Sequence, residues 1–189
     1  MRKLKLQVQI TIDGLIAGPK GEMDFMTWNW DDGLKDYVGE LTKPVDCIIL
    51  GRKLAEGFIP YWNEVAKDPN NPEVEAGKKF SETRKLVFTK TLESCPWENA
   101  VLAKADLTEE IARLKQEDGE DIIVYGGATF VSSLIREDLI DDYHLLVNPS
   151  AIGNGMPIFR QLTESRNFKL VKATPFSCGI VALNYAPSL

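Results

Sequence analysis

The stretch Tyr125-Gly126-Gly127-Ala128-Thr129 sets two glycines between an apolar run, Ile122-Ile123-Val124, and a helix-forming segment over 128–136. Such a turn leaves the first amides of the helix without partners and puts the positive end of the helix dipole behind them, which suits a phosphate. Glycines also let a ligand approach the backbone closely. A plain strand-to-helix connection has the same spelling, so both readings stand at this point. Gly51-Arg52-Lys53 follows a second apolar run, Cys47-Ile48-Ile49-Leu50. Adjacent cations at the carboxyl end of a strand suit a phosphate, and a guanidinium there can take the 2′-phosphate that separates NADPH from NADH. The alternative is a solvated basic turn. Thr89-Lys90-Thr91 also lies just past a strand pattern, and its hydroxyls and cation would complete an adenosine-phosphate pocket or be ordinary surface. Three such clusters at three strand ends converge on one edge of one sheet, which points to a dinucleotide. No GxGxxG follows the first strand, so the pattern is not that of a Rossmann protein.

Other residues define the space beyond a cofactor. Residues 4–12 alternate, with Leu4, Leu6, Val8, Ile10 and Ile12 on one face and Lys5, Gln7, Gln9 and Thr11 on the other. A central strand of a parallel sheet is normally apolar on both faces, so Gln7, Gln9 and Thr11 need partners and are expected to line a cleft. Residues 21–32 mix Phe25, Trp28 and Trp30 with Asp24, Asp31 and Asp32. Aromatics there can sandwich a flat heterocycle, and Asp31 or Asp32 can hydrogen-bond or protonate it, with helix capping as the competing role for either acid. His144, the single histidine, lies on an apolar strand and reads as structural. One histidine excludes any two-histidine metal site, and neither a GxSxG elbow nor a P-loop occurs. No metal is expected.

These residues need a scaffold. The chain has 189 residues, 44% of them hydrophobic, enough for one core, and the expectation is one domain over 1–189 with an insertion or lid at 60–84. Asp31-Asp32 opens a helix to about Leu41, and strands are expected at 47–50, 85–89, 122–125 and 143–147. Asp106 caps a helix carrying Leu107, Ile111 and Leu114. Segments 168–174 and 180–185 pair as a hairpin. Strands alternating with helices, then an all-strand tail, imply an α/β fold: a mainly parallel central sheet flanked by helices, with an antiparallel C-terminal hairpin. Net charge is −6, which disfavours a nucleic-acid or membrane surface. Cys47, Cys95 and Cys178 form neither a zinc pattern nor a disulfide framework, and with no signal-peptide core or transmembrane-length run the expected location is the cytoplasm.

The order of motifs resembles a known family. Thr11-Ile12-Asp13-Gly14-Leu15-Ile16-Ala17-Gly18, the segment Asp46 to Arg52, the Tyr125-Gly126-Gly127-Ala128 turn, and Asn148-Pro149 with Gly153-Asn154-Gly155 follow, in order, the bacterial bifunctional deaminase-reductase C-terminal domain, a branch of the dihydrofolate-reductase-like fold. The resemblance implies a stand-alone homodimeric reductase that draws hydride from NADPH. It places Ile16 and Ala17 near the nicotinamide, Gly51, Arg52, Lys53, Thr89 and Lys90 near the adenosine phosphates, and Gly126, Gly127, Ala128 and Thr129 at the pyrophosphate, with a cis peptide in the glycine pair. Gln7, Gln9 and Phe25 then face the substrate. The family's reaction is the reduction of 5-amino-6-(5-phosphoribosylamino)uracil in riboflavin synthesis. This chain departs from that pattern where the substrate phosphate is held: Gln7 replaces a basic residue, Asp24 precedes Phe25, and Glu40-Leu41 ends the next helix. An acidic replacement repels a phosphate by roughly a kcal/mol or more, so a different small heterocycle is expected. The alternatives are a dihydrofolate or pterin reductase, in which Asp31 or Asp32 is the nearest match to the carboxylate and Leu54 stands where threonine is usual, and an NADP-binding module without turnover.

Overall fold

The computed structural model describes residues 1–188. Alternation in the first strand does what its period requires: β1 (Leu4–Ile10) turns Leu4, Leu6, Val8 and Ile10 into the core. The chain continues through α1 (Asp32–Thr42), β2 (Val45–Gly51), α2 (Arg52–Lys67), α3 (Val74–Glu82), β3 (Arg84–Phe88) and β4 (Ala100–Leu102). It then forms α4 (Leu107–Gln116), β5 (Asp121–Val124), α5 (Ala128–Arg136), β6 (Asp142–Val147), β7 (Phe168–Pro175) and β8 (Val181–Pro187). One sheet holds all the strands in the order β4-β3-β2-β5-β1-β6-β8-β7. β4 through β6 in that order run parallel, while β8 is antiparallel to β6 and to β7.

Both faces of the sheet are covered. Cys47, Ile49, Leu86, Ile122 and Val124 pack against Ile111 and Leu114 of α4 and Val131, Leu134 and Ile135 of α5. On the opposite face Ile48, Leu50, Val87 and Ile123 pack against Ala55 and Ile59 of α2 and Leu41 of α1. Farther along that face Leu146 and Ala182 meet Leu34 of α1. β1 is therefore interior on both sides, and its polar face is not solvent-facing: Lys5 and Gln7 are buried and Gln9 is half-buried. Lys5 meets this with an ion pair to Asp121 at 2.8 Å.

The 60–84 segment, expected as an insertion or lid, is largely helical. α2 runs through Pro60 to Lys67, and α3 lies directly against it, with only a short turn between them. A Cβ on Gly77 would sit 2.7 Å from the Ala66 amide nitrogen, so the helices touch backbone to backbone. Phe80 packs on Phe58 and Trp62 with ring centroids 5.5 and 4.5 Å apart, and Phe58 stacks on Tyr125 at 5.5 Å. A proline inside a helix costs roughly 3 kcal/mol. Aromatic pairs worth about 0.5–1.5 kcal/mol each, beyond their buried area, offset that cost and hold the hairpin on the body.

Candidate functional site

Parallel pairing brings several carboxyl ends to one edge. Leu6 and Ile49 both pair with Val124, and Gly51 pairs with Phe88. The Gly126-Gly127 turn, the Gly51-Arg52-Lys53 start of α2, the Thr89-Lys90 turn and the exit of β1 toward Ile16 and Ala17 therefore share the same side of the sheet. Gly127 caps α5 with φ +80° and ψ +95°, and Gly126 has φ +152°. Among the described residues no peptide is cis, so the expected cis linkage between the glycines is absent; positive φ turns the chain instead. The amides of Ala128, Thr129 and Phe130 have no acceptor among the described residues, and no side chain caps the helix. Such amides at the positive end of α5 can seat an anion.

The flanking clusters meet this seat. Gly51 caps α2 without a side-chain bond, and a Cβ there would lie 3.2 Å from Cβ of Phe130, whose ring packs on Phe88 at 5.1 Å. Close contact at Gly51 thus fixes the spacing between the two helix starts. Arg52 is half-buried and pairs with Glu56 one turn on at 2.5 Å, while Lys53 and Lys90 are exposed. Thr89 Oγ1 accepts from the amides of Thr91 and Leu92, which tightens its turn and leaves its O–H as a donor.

The exit of β1 is clamped from the far end of the chain. Thr11 Oγ1 accepts from the Leu15 amide at 2.9 Å. Asp13 accepts from the amides of Gly153 at 2.7 Å and Ile152 at 3.3 Å. The Thr11 hydroxyl and then the Gly153 amide hold its carboxyl below the usual range. Ile16 N donates to Met156 O and Met156 N to Ala17 O, and both Ile16 and Ala17 are buried. A Cβ on Gly155 would collide with the Ala17 carbonyl, which explains a glycine in Gly153-Asn154-Gly155.

Beside this clamp, α2 covers β2 and β5, the first turns of α1 cover β6 and β8, and between them lies β1 with buried Gln7 and half-buried Gln9. Asn148, fully buried, sets Gln9: its Nδ2 donates to Gln9 Oε1 at 3.1 Å and to Leu146 O, while its Oδ1 accepts from Thr27 N at 2.8 Å. The same residue thereby holds the loop carrying half-buried Phe25. Gln7 lies across the β1–β6 pairing from His144, and its buried Oε1 has no partner. His144 in turn bonds Tyr37 of α1 through Nδ1 at 2.6 Å and Asp142 through Nε2 at 3.2 Å. Asn184 Nδ2 donates to the other Asp142 oxygen.

The carboxylates expected to do chemistry are placed otherwise. Asp31 is the cap of α1, accepting from Leu34 N at 2.8 Å, and it also accepts from Ser177 Oγ at 2.6 Å and Cys178 N at 2.9 Å. The Ser177 hydroxyl foremost, then these amides, lower its carboxyl to about 2. Asp32 projects into solvent, its side chain 98% exposed. Sequence reading missed Asn148, Tyr37 and Asp142 as site residues. Asn148-Pro149 was visible as a motif, but Tyr37 lies 107 positions from its imidazole partner and carries no local signal.

The profile of the RibD C-terminal domain family matches residues 2–182. The uncharacterized protein YyaP of Bacillus subtilis (strain 168) is 30% identical over 186 residues, 97% of this chain and 94% of that protein. Among solved structures, the diaminohydroxyphosphoribosylaminopyrimidine deaminase/5-amino-6-(5-phosphoribosylamino)uracil reductase of Thermotoga maritima superposes with TM-score 0.70 at 22% identity, over 99% of this chain and 57% of that chain. A dihydrofolate reductase from Enterococcus faecalis, solved with NADP(H), superposes with TM-score 0.64 at 15% identity, over 99% of this chain and 97% of that chain. These structures share the fold.

Proposed function

The chain belongs to the RibD C-terminal domain family, and from that membership we propose that it is a reductase drawing hydride from NADPH to reduce a small flat heterocycle. The observation that carries the reading is the seat of unpaired amides at Gly127-Ala128-Thr129-Phe130, on the same sheet edge as Arg52, Lys53, Thr89 and Lys90. Donors without acceptors in an acidic protein fit a phosphate-bearing cofactor. Ala128 and Thr129 hold the pyrophosphate. Arg52 leaves Glu56 for the 2′-phosphate. Ile16 and Ala17, pinned by Met156, form a dry wall for the nicotinamide. The cofactor, when bound, supplies the hydride. Gln9, oriented by Asn148, and Phe25 face the substrate.

Asp24 and Glu40 are exposed carboxylates where a substrate phosphate would be held, and they favour a heterocycle without one. Reduction of dihydrofolate or another pterin is the closest alternative, and cofactor binding without turnover is the second. We place the protein in the cytoplasm as a homodimer through its C-terminal strands, because β7 ends the sheet with Leu170 and Val171 half or more exposed.

Fluorescence titration tests the cofactor. NADPH binds more tightly than NADH, and Arg52→Ala weakens NADPH by about 10–100-fold, the loss of a charge-assisted contact, with NADH changed less than about two-fold. Equal weakening of both removes the role of Arg52, and failure of NADPH to bind at high micromolar concentration removes the reductase reading. Oxidation of NADPH with a panel of pterins and pyrimidines then separates enzyme from binding module.

A further inference from the structure

We propose that Gln9 sets the substrate preference of the site by presenting its side-chain N–H groups to the bound heterocycle. It thereby selects a ring that offers a hydrogen-bond acceptor there, a carbonyl oxygen or an unprotonated ring nitrogen, over one that offers an amino group. This rests on the reductase reading above, which puts the substrate beside Gln9.

The orientation follows from backbone groups whose roles are fixed. Asn148 is fully buried. Its main-chain amide donates to Ile10 O and its carbonyl accepts from Ser150 N, each at 2.8 Å, so the residue is tied on both sides. One end of its carboxamide meets Thr27 N at 2.8 Å; a backbone N–H can only donate, so that end is the oxygen. The other end meets Leu146 O at 3.2 Å; a carbonyl can only accept, so that end is the nitrogen. The same nitrogen stands 3.1 Å from the nearer end of the Gln9 carboxamide, which is therefore Oε1. Carboxamides are ordinarily ambiguous by a half-turn, and here neither one is. A turned Gln9 would set N–H against N–H.

Gln9 Nε2 is then the end away from Asn148. It has no partner among the described residues and is not one of the polar atoms sealed from solvent. Gln9 is half-buried, whereas Gln7 is buried. Strand pairing gives the reason. β1 pairs with β5 only as far as Leu6 with Val124, and β5 then gives way to the Gly126-Gly127 turn and α5. β1 runs on beside β6 alone, to Ile10 with Val147. Gln9 stands three residues past the last β5 partner, where the sheet splits between β1 and the glycine turn. Ligands of α/β sheets collect in crevices outside the carboxyl ends of the strands. The loop bearing Phe25 is tied to the same place by the Thr27 bond to Asn148 and by Ser150 Oγ, which donates to Phe25 O at 3.5 Å.

A ring that covers the Gln9 N–H groups displaces the solvent they face. An acceptor replaces it with a hydrogen bond. An amino group sets donor on donor and leaves both unsatisfied, which costs more than an average hydrogen bond gains. Sites built to bond one polar group reject analogues that lack it for this reason. Asn148 cannot turn without breaking two bonds to the backbone, so Gln9 cannot flip to accommodate the wrong ring. Gln9 moves no proton; it touches the substrate and discriminates among rings.

Two probe pairs isolate the acceptor: uracil against cytosine, and pterin against 2,4-diaminopteridine, each exchanging a ring oxo group for an amino group. Calorimetric titration of the protein, with and without NADPH, is expected to show the oxo member binding about 10-fold more tightly. Gln9→Met keeps the length, removes the donor and leaves Asn148 its bond to Leu146 O, so it levels each pair to within about two-fold. Gln9→Glu keeps one oxygen toward Asn148 and turns the other outward, which reverses the preference. Thermal unfolding and NADPH titration check that the variants are folded. Should they fold poorly, ¹⁵N NMR of the wild type decides: the side-chain amide hydrogens of Asn148 exchange slowly with solvent, those of Gln9 exchange fast, and the Gln9 signals move when the oxo probe is added. Slow exchange at Gln9, tighter binding of the amino probes to the wild type, no binding of any probe at millimolar concentration, or an undiminished preference in Gln9→Met overturns the proposal. A wild type that binds the oxo probes but oxidises no NADPH with them removes the reductase reading instead, while the affinities still decide the role of Gln9.

Discussion

Asp31 was legible as a carboxylate at a helix start, and the sequence left open whether it capped or catalysed. Its partners decide: the Leu34 amide of its own helix and, from the hairpin tip 146 and 147 residues away, the Ser177 hydroxyl and the Cys178 amide. Its folded carboxyl near 2 lies below the 3.8 of an ordinary aspartate. As pH falls the unfolded chain therefore takes the proton first, so the stabilisation is complete above about pH 4 and is lost through about pH 2. Urea unfolding should find Asp31→Ala less stable than wild type at neutral pH, with the gap closing as pH drops toward 2. A gap independent of pH removes this account. Gln7 and Gln9 follow the same logic. Period two put both on one face, but only their hydrogen-bond partners separate Gln9, fixed by Asn148, from Gln7, which keeps a free acceptor.

At the scale of elements, local patterning located the strands and most helices because period and caps are properties of neighbours in sequence. It failed where a tertiary contact overrode a local signal. Proline is a local helix breaker, yet α2 continues through Pro60 because Phe58 and Trp62 are held by Phe80 and Tyr125. β4 was missed because three residues with an exposed Val101 carry no pattern. Two glycines test how tightly the helical hairpin is docked. Gly→Ala inside a helix gains roughly 0.5–1 kcal/mol where space allows. Gly57 in α2 has nothing within 4 Å of an added Cβ, so Gly57→Ala should stabilise by about that amount. At Gly77 the same methyl meets backbone of α2 at 2.7 Å, and overpacking of about 1–3 kcal/mol exceeds the gain, so Gly77→Ala should destabilise. Thermal unfolding of the pair checks the opposite signs, and a stabilising Gly77→Ala would mean that the hairpin is loosely docked.

For the whole molecule, strand order is what makes a site. β1 and β5 are 118 residues apart at their first registered pair, Leu4 with Ile122, yet they are neighbours. The unpaired edge is the other large-scale consequence. β7 offers a free backbone edge with Leu170 at 50% and Val171 at 58% exposure, flanked by Lys169 and Lys172. Pairing of this strand with a second copy predicts sedimentation at twice 21.2 kDa. Val171→Lys, which adds like charge at the edge, should return the monomer, and a wild type that sediments at 21.2 kDa would dispose of the dimer.

What the residues determined unaided was the class of fold: alternation, apolar runs, capping aspartates and glycine turns are short-range signals, and they located the strands and helices, although β1 stops at Ile10 and leaves Ile12, expected on the core face, 67% exposed. The order of family motifs added the expectation of a reductase. Only the tertiary structure decided which polar side chains are committed and which are free. It spent Asp31 on a cap, gave Asn148 to Gln9 and the Thr27 loop, exchanged the cis peptide at Gly126-Gly127 for positive φ, and set Tyr37 on His144. Hydrogen bonds across more than a hundred residues depend on register and helix crossing, which no local window of sequence encodes.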